Sequence, residues 1–218
     1  MKKIITVLSL TMIVFVMFAS VPSYAGTDPL VSETTYYTEE TDYIPGDCIL
    51  TATRMMIRRA AIMNGKTGWD KITNEVLRPE ATTMDGCLLS DFCFESEGMI
   101  YRIGFGTFSG TTDAERIGEF EALLREHPEG IVVHGDWAAS TGTHGVLVVG
   151  VEGGEVYAVD ASYNMGIFSE GIQKWSDTTM LEPSLVTRYW YISSITKTVE
   201  KPKPVPAATY YFNILRCA

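Results

Sequence analysis

Histidine is scarce in this chain: His127, His134 and His144 are the only three in 218 residues. The four cysteines (Cys48, Cys87, Cys93 and Cys217) include no CxxC pair. A structural zinc cluster draws on such pairs and on several histidines, so none is expected. Positive charge is also short, with 17 Lys and Arg against 27 Asp and Glu, a formal charge of −10 and a pI near 4.8. A phosphate-backbone binder needs a basic face, so nucleic acid is excluded as the natural partner. The same balance disfavours anionic lipid surfaces. No segment repeats with a period of 20–50 residues, which excludes solenoids and propellers. What is abundant is apolar side chain, at 46%, enough for one good-sized folded domain.

Only one apolar run approaches the length of a membrane span. Lys2 and Lys3 are followed by Ile4–Ser20, and then by Ser23-Tyr24-Ala25. A basic start, a short apolar core and small residues before a cut are the form of a secretory signal peptide, with cleavage after Ala25. The expected location is therefore extracellular or at the cell surface, with no membrane insertion after cleavage. The remaining chain would carry 15 basic and 27 acidic residues, a charge of −12. An oxidising compartment permits two disulfides among four cysteines, in three pairings. If Cys48 is a free thiol, one pair remains, most simply Cys87 with Cys93.

The rest divides into a domain over 26–196 and a tail over 197–218. Residues 26–44 are polar and acidic, a lead-in with a possible strand near Tyr36; Glu39-Glu40-x-Asp42 lacks any recognised calcium-loop signature. Pro45-Gly46-Asp47 signals a turn before a helix over Cys48–Met63, where Ile49, Ala52, Met56, Ala60 and Met63 recur at helical spacing. Leu50, Ile57 and Ala61 widen the apolar face, leaving Arg54, Arg58 and Arg59 outside; Asn64-Gly65 ends the helix. Trp69, Ile72 and Val76 predict a second short helix closed by Pro79. Residues 80–112 are Gly-rich, with one or two strands around Met99–Ile103. Thr112-x-x-Glu115 is a capping box that opens a third helix to about Glu126, with Ile117, Phe120 and Leu124 inward. Strands follow at Ile131–His134, Gly145–Val151, Glu155–Asp160 and Thr187–Ile195, the middle two forming a hairpin about Gly153-Gly154. Residues 197–208 hold three prolines within five positions, an extended linker. The closing TYYFNILRCA either adds an edge strand or docks on a partner.

Three residues in order suggest chemistry: Cys48, His144 and Asp160. A thiolate, not a thiol, is the nucleophile, and the first turn of a helix stabilises it through unpaired N–H groups and the dipole. Cys48 stands there. His144 heads an apolar strand, where an imidazole can take the thiol proton. Asp160 ends the next strand, where a carboxylate can fix the imidazole tautomer. Pairing about a Gly153-Gly154 turn leaves Asp160 three residues out of step with His144, a gap that a bulge would close. The ordinary readings are a packed or disulfide-bonded cysteine, a solvated histidine and a turn-starting aspartate. His134 is the alternative base, but only His144 leads into the strand–turn–strand that ends at Asp160. Trp137 and Trp175 either line a substrate groove or pack.

Gly46-Asp47-Cys48-Ile49-Leu50-Thr51-Ala52 opening a buried helix resembles the nucleophile region of bacterial papain-like cysteine peptidases. The nearest branch is the bacteriocin-processing (double-glycine leader) peptidases and their free-standing relatives, whose motif is Asp-Cys-Gly before a helix ending in Gly. Asp47-Cys48 and Asn64-Gly65 match, while Ile49 replaces the Gly. Leu123-Leu124-x-x-x-Pro128-x-Gly130-Ile131-Val132-Val133 is similar to the helix and strand before that family's histidine. His144-Gly145-Val146-Leu147-Val148-Val149-Gly150 and Val156-Tyr157-Ala158-Val159-Asp160 are similar to its histidine and aspartate strands. The similarity runs from residue 42 to about 195. It implies an α+β, papain-like fold, with the nucleophile helix buried against an antiparallel sheet. It implies a thiol hydrolase acting on a peptide or protein substrate, with Cys48, His144 and Asp160 as nucleophile, base and orienting group and no cofactor. The family's oxyanion-hole Gln stands about six residues before the nucleophile; here that position is Asp42, leaving the Cys48 backbone N–H, with Thr41, Tyr43 or the lone Gln173 as substitutes. Loss of one oxyanion donor costs about 2.7–4 kcal/mol. The departure admits a second expectation: a catalytically inactive relative serving as a binding module.

Overall fold

The computed structural model describes residues 47–136, 142–160, 172–177 and 182–198. The predicted signal peptide, the lead-in with Asp42, Trp137, and the Pro-rich segment and tail with Cys217 lie outside the described residues. The architecture is α+β. Three helices, α1 (Cys48–Met63), α2 (Asn74–Ala81) and α3 (Asp113–Glu126), pack on a seven-stranded sheet. Its strands are β1 (Phe92–Ser96), β2 (Met99–Thr107), β3 (Ile131–Asp136), β4 (Thr143–Glu152), β5 (Glu155–Val159), β6 (Gln173–Lys174) and β7 (Val186–Lys197). They lie in the order β1-β2-β7-β3-β4-β5-β6, and every neighbouring pair is antiparallel.

The sheet is covered on both faces, so its central strands are apolar in near-continuous runs rather than alternating. On one face Val132, Leu147, Val149 and Trp190 pack with Ala52, Met55, Met56 and Ile57 of α1 and Leu77 of α2. On the other, Val133, Val146, Val148 and Val186 pack with Phe120 and Leu124 of α3. Thr112 and Glu115 form the reciprocal capping box at the start of α3 that the sequence predicts.

The sequence reading of α1 needs one correction. Arg54, Arg58 and Arg59 are fully buried rather than outside. Arg58 donates from Nε to the Ile72 carbonyl at 2.6 Å and from Nη2 to the Asp70 carbonyl at 3.1 Å. Its guanidinium also stands over the Trp69 ring, 5.8 Å from the centroid. Arg59 donates from Nε to the Glu129 carbonyl at 3.1 Å. Irregular backbone at 70–72 and 129 thus wraps the helix and supplies the acceptors that a buried cation requires. The second predicted helix is also two pieces. Trp69–Lys71 is a single 3-10 turn, Thr73 caps α2, and Pro79 sits within α2 rather than after it. Val76 points to solvent, while Leu77 and Ala81 take the inner positions.

Candidate active site

The β4–β5 hairpin sets the geometry. From its turn the register runs Glu152 with Glu155, Val151 with Val156 and Gly150 with Tyr157. It then shifts by one, so that Val148 faces Ala158 and Leu147 faces Val159. Val149 is the extra residue of a β-bulge. The bulge reduces the offset between Asp160 and His144 from three residues to two. It also changes parity, because side chains alternate between sheet faces and an odd offset would put the two on opposite faces. At an offset of two they become diagonal neighbours on one face, within reach of long side chains. His144 Nε2 lies 2.9 and 2.8 Å from the two carboxylate oxygens of Asp160. Both residues are buried.

Helix α1 brings the thiol to this pair. Cys48 is its first residue and is hydrogen-bonded to His144. Since Nε2 is held by the carboxylate, Nδ1 is the nitrogen left for the sulfur. Close approach depends on Gly145, next to His144 in β4. A Cβ there would stand 2.6 Å from Ile49 Cγ1 and 3.2 Å from Ile49 Cα. The absent side chain of Gly145 therefore makes room for Ile49, the residue that replaces the family's Gly after the cysteine.

Asp47, the N-cap of α1, makes no capping hydrogen bond with its side chain. Its carboxylate is instead clamped by Arg78 of α2, with Nη1 donating to Oδ1 at 3.2 Å and Nη2 pairing with Oδ2. Diverting the carboxylate to an arginine keeps an uncompensated negative charge from the thiol and leaves the helix terminus to act on the sulfur.

Burial on its own would pull the His144 pKa down. The hydrogen bonds and charges of Asp160 and Cys48 outweigh that and hold it up at about 9. Opposite charges at short range favour the ionised forms of both partners. The trio therefore rests with a protonated imidazole between two acids.

The other sequence candidates fall differently. His134 lies beside the trio, opposite Gly145 in the β3–β4 register. Burial, then the charges of Arg188 and His144, lower its pKa, so it stays neutral; it holds no place between Cys48 and Asp160. Trp175 is buried against Phe120 of α3, with ring centroids 6.0 Å apart, in packing rather than in a groove. Gln173 stands on β6 opposite Ala158, with β5 between it and β4. Cys87 and Cys93 do not pair: both are exposed free thiols, and Cys48 is free as well.

Beside the thiol a cleft of about 380 Å³ opens between α1, the loop at 85–88 and strands β3, β4 and β7. Asp47, Ile49 and Leu50 flank Cys48 on its wall, and Thr143 precedes His144; Asp85, Leu88, His134, Arg188 and Trp190 complete the polar and aromatic lining. Trp190 is fixed by donation from Nε1 to the Leu89 carbonyl at 2.9 Å. Sequence reasoning missed Arg188 and Asp85. The one signal for Arg188 was its strand, since its pairing with His134 across β3 and β7 is a tertiary fact. Among the described residues no group of three or more His, Cys, Asp or Glu is placed to hold a metal ion. No protein-family model, no curated protein and no solved structure matches this chain.

Proposed function

We propose that this chain is an exported cysteine hydrolase of papain-like type, acting on a peptide or other amide bond. The observation that carries the reading is the buried relay Cys48–His144–Asp160, with both Asp160 oxygens on His144 Nε2 and the thiol on the same imidazole. The N-terminus of the nucleophile helix, the adjoining cleft and the family-like order of motifs add to it. The signal-peptide form of residues 1–25 supports export.

The chemistry follows from the arrangement. The Cys48 thiolate adds to the carbonyl carbon, and the electron pair moves to the carbonyl oxygen, where the Cys48 backbone N–H is one available donor. The His144 imidazolium gives its proton to the departing amine as the C–N bond breaks, leaving a thioester on Cys48. Neutral His144 then takes a proton from water, whose oxygen attacks the thioester. The acid leaves and the thiolate–imidazolium pair is restored. Asp160 holds the ring in one tautomer throughout.

One observation favours the second reading, an inactive binding module: Asp42 occupies the position of the usual oxyanion-hole glutamine. Digestion of a proteome-derived peptide library, with new termini mapped by mass spectrometry, separates the two. The hydrolase reading expects termini made by the wild-type chain and absent with Cys48→Ala. Identical digests from both proteins would support the binding module.

A further inference from the structure

From the cleft beside Cys48 we infer a recognition site for a single carboxylate on the substrate, with Arg188 as its ion-pair partner and His134 as the neutral polar group next to it. This deepens the hydrolase reading and rests on it for the word substrate. Three observations carry it. Arg188 lines the cleft, and among the described residues no carboxylate forms an ion pair with it. His134 is its direct partner across β3 and β7. It is only 8% exposed, and its Nδ1 lacks a hydrogen-bond partner. A buried ring nitrogen left open costs stability unless something binds there. The open nitrogen and the free guanidinium lie on neighbouring strands of the same cleft, alongside the Ile49 and Thr143 that flank the reacting groups.

The charges around the cleft favour this ligand over a cation. Asp47 is occupied by Arg78, so its carboxylate is not open to a ligand ammonium. Asp85 is the remaining acid on the wall, and it is exposed on the turn closed by Gly86 N–H donating to the Thr83 carbonyl at 2.9 Å. An isolated exposed carboxylate is a weak partner. Arg188 offers a planar fork suited to two carboxylate oxygens, with a second polar group beside it. Asp85 across the same space opposes a second negative charge, which limits the site to one. A glutamate side chain and a peptide C-terminus present the same carboxylate.

Haloacetyl peptides that alkylate Cys48 test the site without a known substrate. Bromoacetyl-Gly-Glu-amide is compared with bromoacetyl-Gly-Gln-amide, and bromoacetyl-Gly-Gly acid with its amide. The wild-type chain should react about tenfold faster with one acid than with its neutral twin, the scale of one charge-assisted hydrogen-bonded pair. The pair that shows the preference identifies the side-chain or the terminal carboxylate as the source. In Arg188→Gln the ratio should fall to near one, Arg188→Lys should keep part of it, and Asp85→Asn should raise it. Equal rates for acid and amide in both wild-type pairs overturn the site, and that comparison needs no variant to fold. The outcome is separable from the hydrolase reading. A Cys48 that alkylates slowly, yet still prefers the acid, refutes the activated thiol and keeps the carboxylate site.

Discussion

Gly145→Ala is a one-methyl change that should disable the thiol without touching any member of the relay. The new Cβ would lie 2.6 Å from Ile49 Cγ1 and 3.2 Å from Ile49 Cα, against about 3.5–4.0 Å for normal carbon–carbon packing. A rotamer change of Ile49 could move Cγ1 aside, but no rotamer moves its Cα, which belongs to the main chain. The first turn of α1 must therefore retreat by several tenths of an ångström from β4, at the point where Cys48 meets His144. Overpacking of this kind costs about 1–3 kcal/mol, and each kcal/mol lowers Tm by roughly 2–4 °C in a domain of this size. The effect on reactivity should be larger, because a displacement near 1 Å costs about a hundredfold in a positioned reaction. The assay is the second-order rate of iodoacetamide labelling of Cys48 at pH 7, beside a thermal melt. Gly145→Ala with Ile49→Ala removes Cγ1 and should recover much of both. A single variant that melts and labels like the wild type would refute the claim that Gly145 seats the nucleophile helix.

The structure makes four further predictions. Asp160→Asn should lower the His144 pKa from about 9 and confine rapid Cys48 labelling to a narrower pH range, read by alkylation rate against pH. Arg78→Leu releases Asp47 beside the sulfur, so Cys48 should label more slowly near neutral pH, by up to about tenfold for one new unscreened charge. The raised His144 pKa contributes stability that is complete below about 6.5, its ordinary value, and is lost as pH rises through about 9; urea denaturation of His144→Ala should show that slope flattened. Burial likewise raises Glu129 to about 7 against the opposing effects of its own backbone hydrogen bond and of Arg59, so its contribution is complete below the usual carboxylate range and lost as pH rises to 7. Glu129→Gln should remove the fall between pH 4.5 and 7 on the same denaturation curves.

Periodicity and punctuation made much of the fold legible. The helix over Cys48–Met63, the capping box at Thr112 and the Gly153-Gly154 hairpin are local features, and they stand where the sequence puts them. What was not legible depends on partners distant in the chain. Arg54, Arg58 and Arg59 read as a solvated stripe because charge on a helix usually is one. They are buried because backbone carbonyls of other segments turn toward α1, and no side-chain pattern encodes a carbonyl's direction. Pro79 reads as a helix stop but sits in the second turn of α2, which Thr73 caps and Leu77 anchors. The site shows the same division. Cys48, His144 and Asp160 were nameable from order and residue type, and the three-residue mismatch announced that a bulge was required. That the bulge falls at Val149, and so restores parity, is visible only in the register. The role of Gly145 and the facing of His134 by Arg188 belong to packing between segments far apart in sequence.

The central claim is that Cys48 is an activated thiol held by His144. It is tested most directly by mass-mapped alkylation of the unreduced protein across pH 4 to 9, with His144→Ala alongside. A free thiol titrates near about 8.5. The account predicts rapid labelling of Cys48 well below that pH, lost in the variant, with exposed Cys87 and Cys93 labelling only near it in both proteins. A Cys48 that is blocked by a disulfide, or that labels like Cys87 and Cys93 whether or not His144 is present, would contradict it.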